Sequence, residues 1–89
     1  MTLLDTFDDR LLEFFSEDQL AQLIEDGADE IIWEEGRVLL RVNSQASTNS
    51  VYRVTASFCD FTYRTHISSD DMWRDEDGAL CMCWYPYFR

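Results

Sequence analysis

Apolar positions in the first fifteen residues recur at helical spacing. Leu4, Phe7, Leu11 and Phe14 define one face, Leu3, Leu12 and Phe15 widen it, and Asp5, Asp9 and Glu13 stand opposite. The pattern predicts an amphipathic helix over residues 3–15. Ser16-Glu17-Asp18-Gln19 then has the form of a capping box, the serine oxygen and the glutamine side chain each taking up a free backbone N–H. It opens a second helix over 17–26, with Leu20, Leu23 and Ile24 inward and Gly27 as its stop.

After Gly27 the period changes. Residues 30–34, the pair Glu35-Gly36 and residues 37–43 suit a hairpin, with a short third helix over 28–35 as the alternative. Val38, Leu40 and Val42 alternate with Arg37, Leu39 and Arg41, as in a half-buried strand. Residues 43–50 are small or polar and uncharged, which predicts a flexible connection. Tyr52, Val54, Ala56 and Phe58 alternate with Arg53, Thr55 and Ser57 and predict a further strand. The apolar phase shifts at Cys59-Asp60 to Phe61, Tyr63, Thr65 and Ile67, either a tight turn or a bulge in one long strand. Residues 68–78 read as an acidic connection with a helical turn near Met72 and Trp73. Residues 79–88 read as a last strand that Pro86 places at a sheet edge. The expected fold is α+β, a single domain over 1–89. An acidic two-helix unit (1–27) packs on an antiparallel β-meander of three to five strands (30–89).

Charge changes the picture more than composition does. The 89 residues hold 18 acids and seven bases, all arginine, for a net charge of -11. Twelve of the acids fall within residues 1–35, alongside one arginine, so that segment alone carries -11. Residues 36–66 sum to +3 and residues 67–89 to -3. So acidic a chain is a poor ligand for nucleic acid, whose phosphates are neutralised by Lys and Arg, and for an anionic membrane. An apolar content of 46% separates it from disordered acidic chains. No apolar run approaches the roughly 20 residues that span a bilayer. The N-terminal segment carries acids where a signal peptide carries bases, so a cytoplasmic location is expected.

Candidate chemistry is sparse. Cys59, His66, Cys81 and Cys83 are zinc-ligand types, but a Cys-x-Cys pair on a strand is not a zinc knuckle, and three cysteines do not make a disulfide framework. They are expected to be reduced and buried as small hydrophobes. Asp70, Asp71, Asp75 and Asp77-Gly78 fail the calcium-loop pattern, whose first and twelfth positions would be Trp73 and Trp84. That segment is expected to be a turn with solvated acids. No enzymatic activity, metal or cofactor is expected.

The carboxylate block is the remaining signal. On a helix, Asp5, Asp9 and Glu13 would be like charges one turn apart, unfavourable by a few tenths of a kcal/mol per pair. Glu17, Asp18, Glu25 and Asp26 add to the same field, and Asp29, Glu30, Glu34 and Glu35 extend it, with no lysine interleaved. A rigid surface of this kind can imitate a phosphate backbone and steer a basic groove toward itself. In size and in this style of charge, including the later acids Asp70, Asp71, Asp75, Glu76 and Asp77, the chain resembles phage-encoded anti-CRISPR and anti-restriction inhibitors. The resemblance implies inhibition of a basic nucleic-acid-processing protein by occupying its nucleic-acid site or a subunit surface, with no catalysis and no cofactor; a monomer or homodimer is expected. The twelve acids Asp5, Asp8, Asp9, Glu13, Glu17, Asp18, Glu25, Asp26, Asp29, Glu30, Glu34 and Glu35 would form the contact. An immunity protein or antitoxin against a toxic nuclease would share this physics. A halophilic or purely structural acidic domain is the remaining alternative.

Overall fold

The computed structural model describes residues 8–86. Two α-helices and four strands follow in the order α1 (Glu17–Asp26), β1 (Ala28–Glu34), β2 (Arg37–Val42), α2 (Thr48–Phe61), β3 (Met72–Arg74) and β4 (Leu80–Trp84). The architecture is α+β, with every strand pair antiparallel and the sheet order β1-β2-β4-β3. The helices do not both precede the sheet, since α2 lies between β2 and β3.

Helix α1 has the start and stop read from its sequence. Gln19 N–H donates to Ser16 Oγ at 3.1 Å while Ser16 N–H donates to Gln19 Oε1 at 3.0 Å, a complete capping box. Gly27 closes the helix at φ 129°, and a Cβ there would sit 3.1 Å from the Cβ of Ser50. The chain can therefore leave α1 hard against the first turn of α2 only through a glycine. β1 and β2 form the hairpin, not a third helix. Glu35 and Gly36 both have positive φ, 51° and 80°, which gives the type I′ twist that joins strands through two residues.

The first helical expectation, over 3–15, changes within the described residues. Leu3, Leu4 and Asp5 lie outside them, as does Phe7. Residues 11–13 form a 3₁₀ turn, with Leu11, Leu12 and Glu13 donating to the carbonyls three residues back. This tight turn sets Phe14 on Trp33 (ring centroids 5.4 Å apart) and Phe15 between Phe58 (6.3 Å) and Trp84 (5.8 Å).

The largest correction is α2, where strands over 52–58 and 61–67 were expected. The alternation there is only apparent. Val54 and Phe58, four residues apart, are fully buried, while Tyr52 is 72% exposed and Ala56 is exposed. Ser47 caps the helix by accepting from Ser50 N–H at 3.1 Å, so Thr48–Ser50 leave the expected flexible connection and join α2. Cys59-Asp60 is then the last turn of a helix, not a bulge. The helix ends in a Schellman motif, with Arg64 N–H donating to Cys59 O at 2.8 Å and Tyr63 N–H to Asp60 O at 3.3 Å. Tyr63 holds the left-handed position at φ 58°.

In the acidic connection the helical turn is a 3₁₀ turn at Ser69–Asp71, and Met72 and Trp73 belong to strand β3. β4 is an inner strand between β2 and β3, not an edge; Pro86 lies two residues beyond its end.

Register fixes the two sheet faces. The rows Ile31–Leu40–Met82–Met72, Trp33–Val38–Trp84 and Val42–Leu80 face one way. They join Leu11, Phe15, Leu20, Leu23, Val54 and Phe58 in one hydrophobic core under the helices. The rows Glu30–Arg41–Cys81–Trp73, Ile32–Leu39–Cys83 and Glu34–Arg37 face the other way.

Candidate functional site

The twelve acids expected to form a contact surface separate into groups. Asp5 lies outside the described residues. Asp8, Asp9 and Glu13 are exposed around the 3₁₀ turn, so no α-helical row carries Asp9 and Glu13 one turn apart. Asp8 Oδ1 accepts from Arg10 N–H at 2.8 Å, an Asx turn that leads into it.

On α1, Glu17, Asp18 and Glu25 are exposed. At 100° per residue they border one solvent-facing stripe with Ala21 and Gln22, opposite the buried Leu20 and Leu23. Asp18 and Glu25 stand about 10.5 Å apart along the axis, seven residues at 1.5 Å each.

Asp26 is different. It is 5% exposed, and its carboxylate accepts from Ser57 Oγ at 2.7 Å and from Gln22 Nε2 at 2.9 Å, with an Arg53 nitrogen at 3.6 Å. This residue ties α1 to α2 and presents no carboxylate outward. The sequence held a sign that was missed: three and six residues after Leu23 and Leu20, it lies beside the buried arc of the helix.

On the hairpin, Asp29, Glu30 and Glu35 are exposed, while Glu34 Oε2 pairs with Arg37 at 3.3 Å. The arginines of the positive middle segment are engaged in the same manner. Arg41 meets Asp75 at 3.0 Å and Asp77 at 3.1 Å, and Arg64 meets Asp71 at 2.8 Å. Arg37 also lies over the Trp73 ring, 5.5 Å from its centroid. The field of Asp75 holds the Arg41 guanidinium above its ordinary pKa. Asp75 is not a simply solvated acid: its Oδ1 also accepts from Asp77 N–H at 2.9 Å and Ala79 N–H at 3.0 Å, which shapes the turn before β4. Ion pairs that are this exposed contribute about 0–1 kcal/mol each. Their consequence is electrostatic, because the arginines are neutralised locally. Among the described residues no arginine forms an ion pair with Asp8, Asp9, Glu13, Glu17, Asp18, Glu25, Asp29, Glu30 or Glu35.

Cys59, Cys81 and Cys83 are all buried as free thiols, and burial pushes the pKa of each up. The neutral thiol is the form that burial favours at each position. Exposed His66 keeps its Nδ1 3.1 Å from Thr65 Oγ1. Among the described residues, no three of the His, Cys, Asp and Glu side chains group as a metal site, and no helix is long and apolar enough to cross a membrane.

Sequence reasoning missed the second face of the sheet as a candidate surface. There Ile32, Leu39 and Trp73 remain half-exposed around a groove of about 250 Å³ that Glu30, Arg41 and Asp75 also line. The alternation Arg37-x-Leu39-x-Arg41 was its signal, but joining it to Trp73 and Asp75 required the strand order. No protein-family model, curated protein or solved structure matches this chain.

Proposed function

We propose that the chain acts by binding and not by catalysis: its acidic surface occupies a basic site on a nucleic-acid-processing protein and excludes nucleic acid from it. This is the mode of a small anti-CRISPR or anti-restriction inhibitor, and it needs no cofactor. One observation carries the reading. Among the described residues, Asp8, Asp9, Glu13, Glu17, Asp18, Glu25, Asp29, Glu30 and Glu35 are exposed and form no ion pair, with Arg10 the one base in their segment, while Arg37, Arg41, Arg53 and Arg64 are tied to Glu34, Asp26, Asp71, Asp75 and Asp77. Like charges left without counter-charge raise the free energy of the folded chain, and a cationic partner relieves that cost on binding. The contact set comprises Glu17, Asp18 and Glu25 on α1, Asp8, Asp9 and Glu13 before it, and Asp29, Glu30 and Glu35 on the hairpin. Asp26 leaves this set because it is buried.

The test is competition. Purified nucleases and CRISPR effector complexes are mixed with labelled duplex DNA, and displacement by the chain is followed by fluorescence anisotropy. A target protein releases DNA stoichiometrically, and the effect weakens steeply with salt. The combined change Glu17→Gln, Asp18→Asn and Glu25→Gln reduces it. Displacement indifferent to both salt and this triple change would overturn the reading.

A further inference from the structure

Among the described residues the helices cover one face of the sheet, and the other face is closed only by its own side chains. Its groove has an apolar floor of Ile32, Leu39 and Trp73 and a charged rim. Four carboxylates, Asp29, Glu30, Asp75 and Asp77, lie around the guanidinium of Arg41, and a second guanidinium, Arg37 paired with Glu34, lies 5.5 Å over the Trp73 ring. The rim therefore keeps an excess of three negative charges over an apolar floor. That combination is unfavourable for a purely apolar ligand and for an anion. It suits a group with an aliphatic body and a cationic end, which buries the stem and leaves the head at the carboxylates. At about 250 Å³ the groove is smaller than the roughly 300–1,000 Å³ typical of small-molecule pockets, and it matches a single side chain. A second copy of this chain would bring its own -11 against the same rim, so self-association through this face is opposed by charge.

We infer that this groove anchors one arginine or lysine side chain of the basic partner, its stem over Ile32 and Leu39 beside Trp73 and its head at the exposed carboxylate of Glu30 on the rim. The inference rests on the proposed binding function and deepens it, because it gives the partner a specific anchor in addition to a diffuse field. Charge alone would reward any cation equally. The groove rewards a cation on a long stem.

The probe is an acetylated octapeptide of alternating arginine and threonine, titrated by NMR into the isotope-labelled full chain. Its comparison is the same peptide with diaminobutyrate for arginine, which keeps the charge and shortens the stem. The arginine peptide is expected to bind at least about five-fold more tightly, about 1 kcal/mol, with shifts at Ile32, Leu39, Cys81 and the Trp73 indole. Exposed Glu30→Gln removes most of that preference, and Leu39→Ser abolishes it in a chain whose circular dichroism is unchanged. Combined Glu17→Gln, Asp18→Asn and Glu25→Gln weakens both peptides alike and leaves the preference intact. Equal affinity for the two peptides, with shifts confined to α1, would overturn the anchor while the acidic-surface reading stands. Failure of either peptide to bind even in low salt would count against both. A concentration-dependent dimer in sedimentation that protects the groove would replace the anchor with self-association.

Discussion

The carboxylate of Asp26, in the last turn of α1, accepts the hydroxyl of Ser57 in α2 at 2.7 Å. It is the polar link between the two helices, set beside Leu23 and Val54, both fully buried. Asp26→Ala leaves the partly buried Ser57 hydroxyl without its acceptor and is expected to cost about 1–2 kcal/mol in urea unfolding. Partner affinity, corrected for the unfolded fraction, stays the same. A loss of affinity with unchanged stability would return Asp26 to the binding surface.

Tyr63 occupies the position of the Schellman motif that normally belongs to glycine, at φ 58° with its side chain 95% exposed. A side chain in left-handed backbone costs about 1–2 kcal/mol, and an exposed ring gains little packing in return. Tyr63→Gly is therefore expected to raise the unfolding free energy by about 0.5–1 kcal/mol, read as a higher urea midpoint, once glycine's added freedom in the unfolded chain is counted. A lowered midpoint would mean that the left-handed backbone at Tyr63 is not a net cost to the fold.

Much of the α1–hairpin segment was legible because its signals are local. A capping box, a terminal glycine and Glu35-Gly36 each act within four residues. Helix α2 was not legible for the opposite reason. Its β-branched and aromatic residues alternate well enough to imitate a strand, and only the packing of Val54 and Phe58 beneath α1 decides between the periods. The same limit applies to the candidate site. Sequence shows that acids crowd the first 35 positions, but not that Asp26 turns inward, which depends on a helix phase set by Leu20 and Leu23. Nor does it bring Arg41 to Asp75, a pairing between residues 34 apart that exists only once β2 and β4 are neighbours.

The three thiols predict an alkaline limb in stability. Burial holds Cys59, Cys81 and Cys83 above their ordinary pKa, and for Cys83 the nearby Asp71 charge adds to this. The fold favours the neutral thiol, so its contribution is complete below the unfolded pKa of about 8.5 and declines as pH rises toward the folded values. Cys83→Ala is expected to be less stable at neutral pH, through its lost packing. It also loses stability less steeply between about pH 8 and pH 10. Parallel curves for the two proteins would show that Cys83 does not titrate with unfolding.

Glu25 supplies the sharpest separation of function from stability. It lies in the last turn of α1, next to Asp26, with no basic residue in that turn. Free carbonyls there carry the negative end of the helix dipole, so a carboxylate is unfavourable by about 0.3–1 kcal/mol. Glu17 and Asp18 lie in the first turn of the same helix, where the dipole favours them. Neutralising these residues one at a time should therefore move stability in opposite directions. Glu25→Gln raises the unfolding free energy by a few tenths of a kcal/mol, and Glu17→Gln and Asp18→Asn lower it by a similar amount. All three weaken a cationic partner, because each removes one exposed negative charge from the same stripe. Thermal melts paired with association rates across a salt series make the comparison. A carboxylate kept where the helix disfavours it, and whose removal slows association, has a role in the encounter. If Glu25→Gln stabilises the fold and leaves association unchanged, that residue drops out of the contact set.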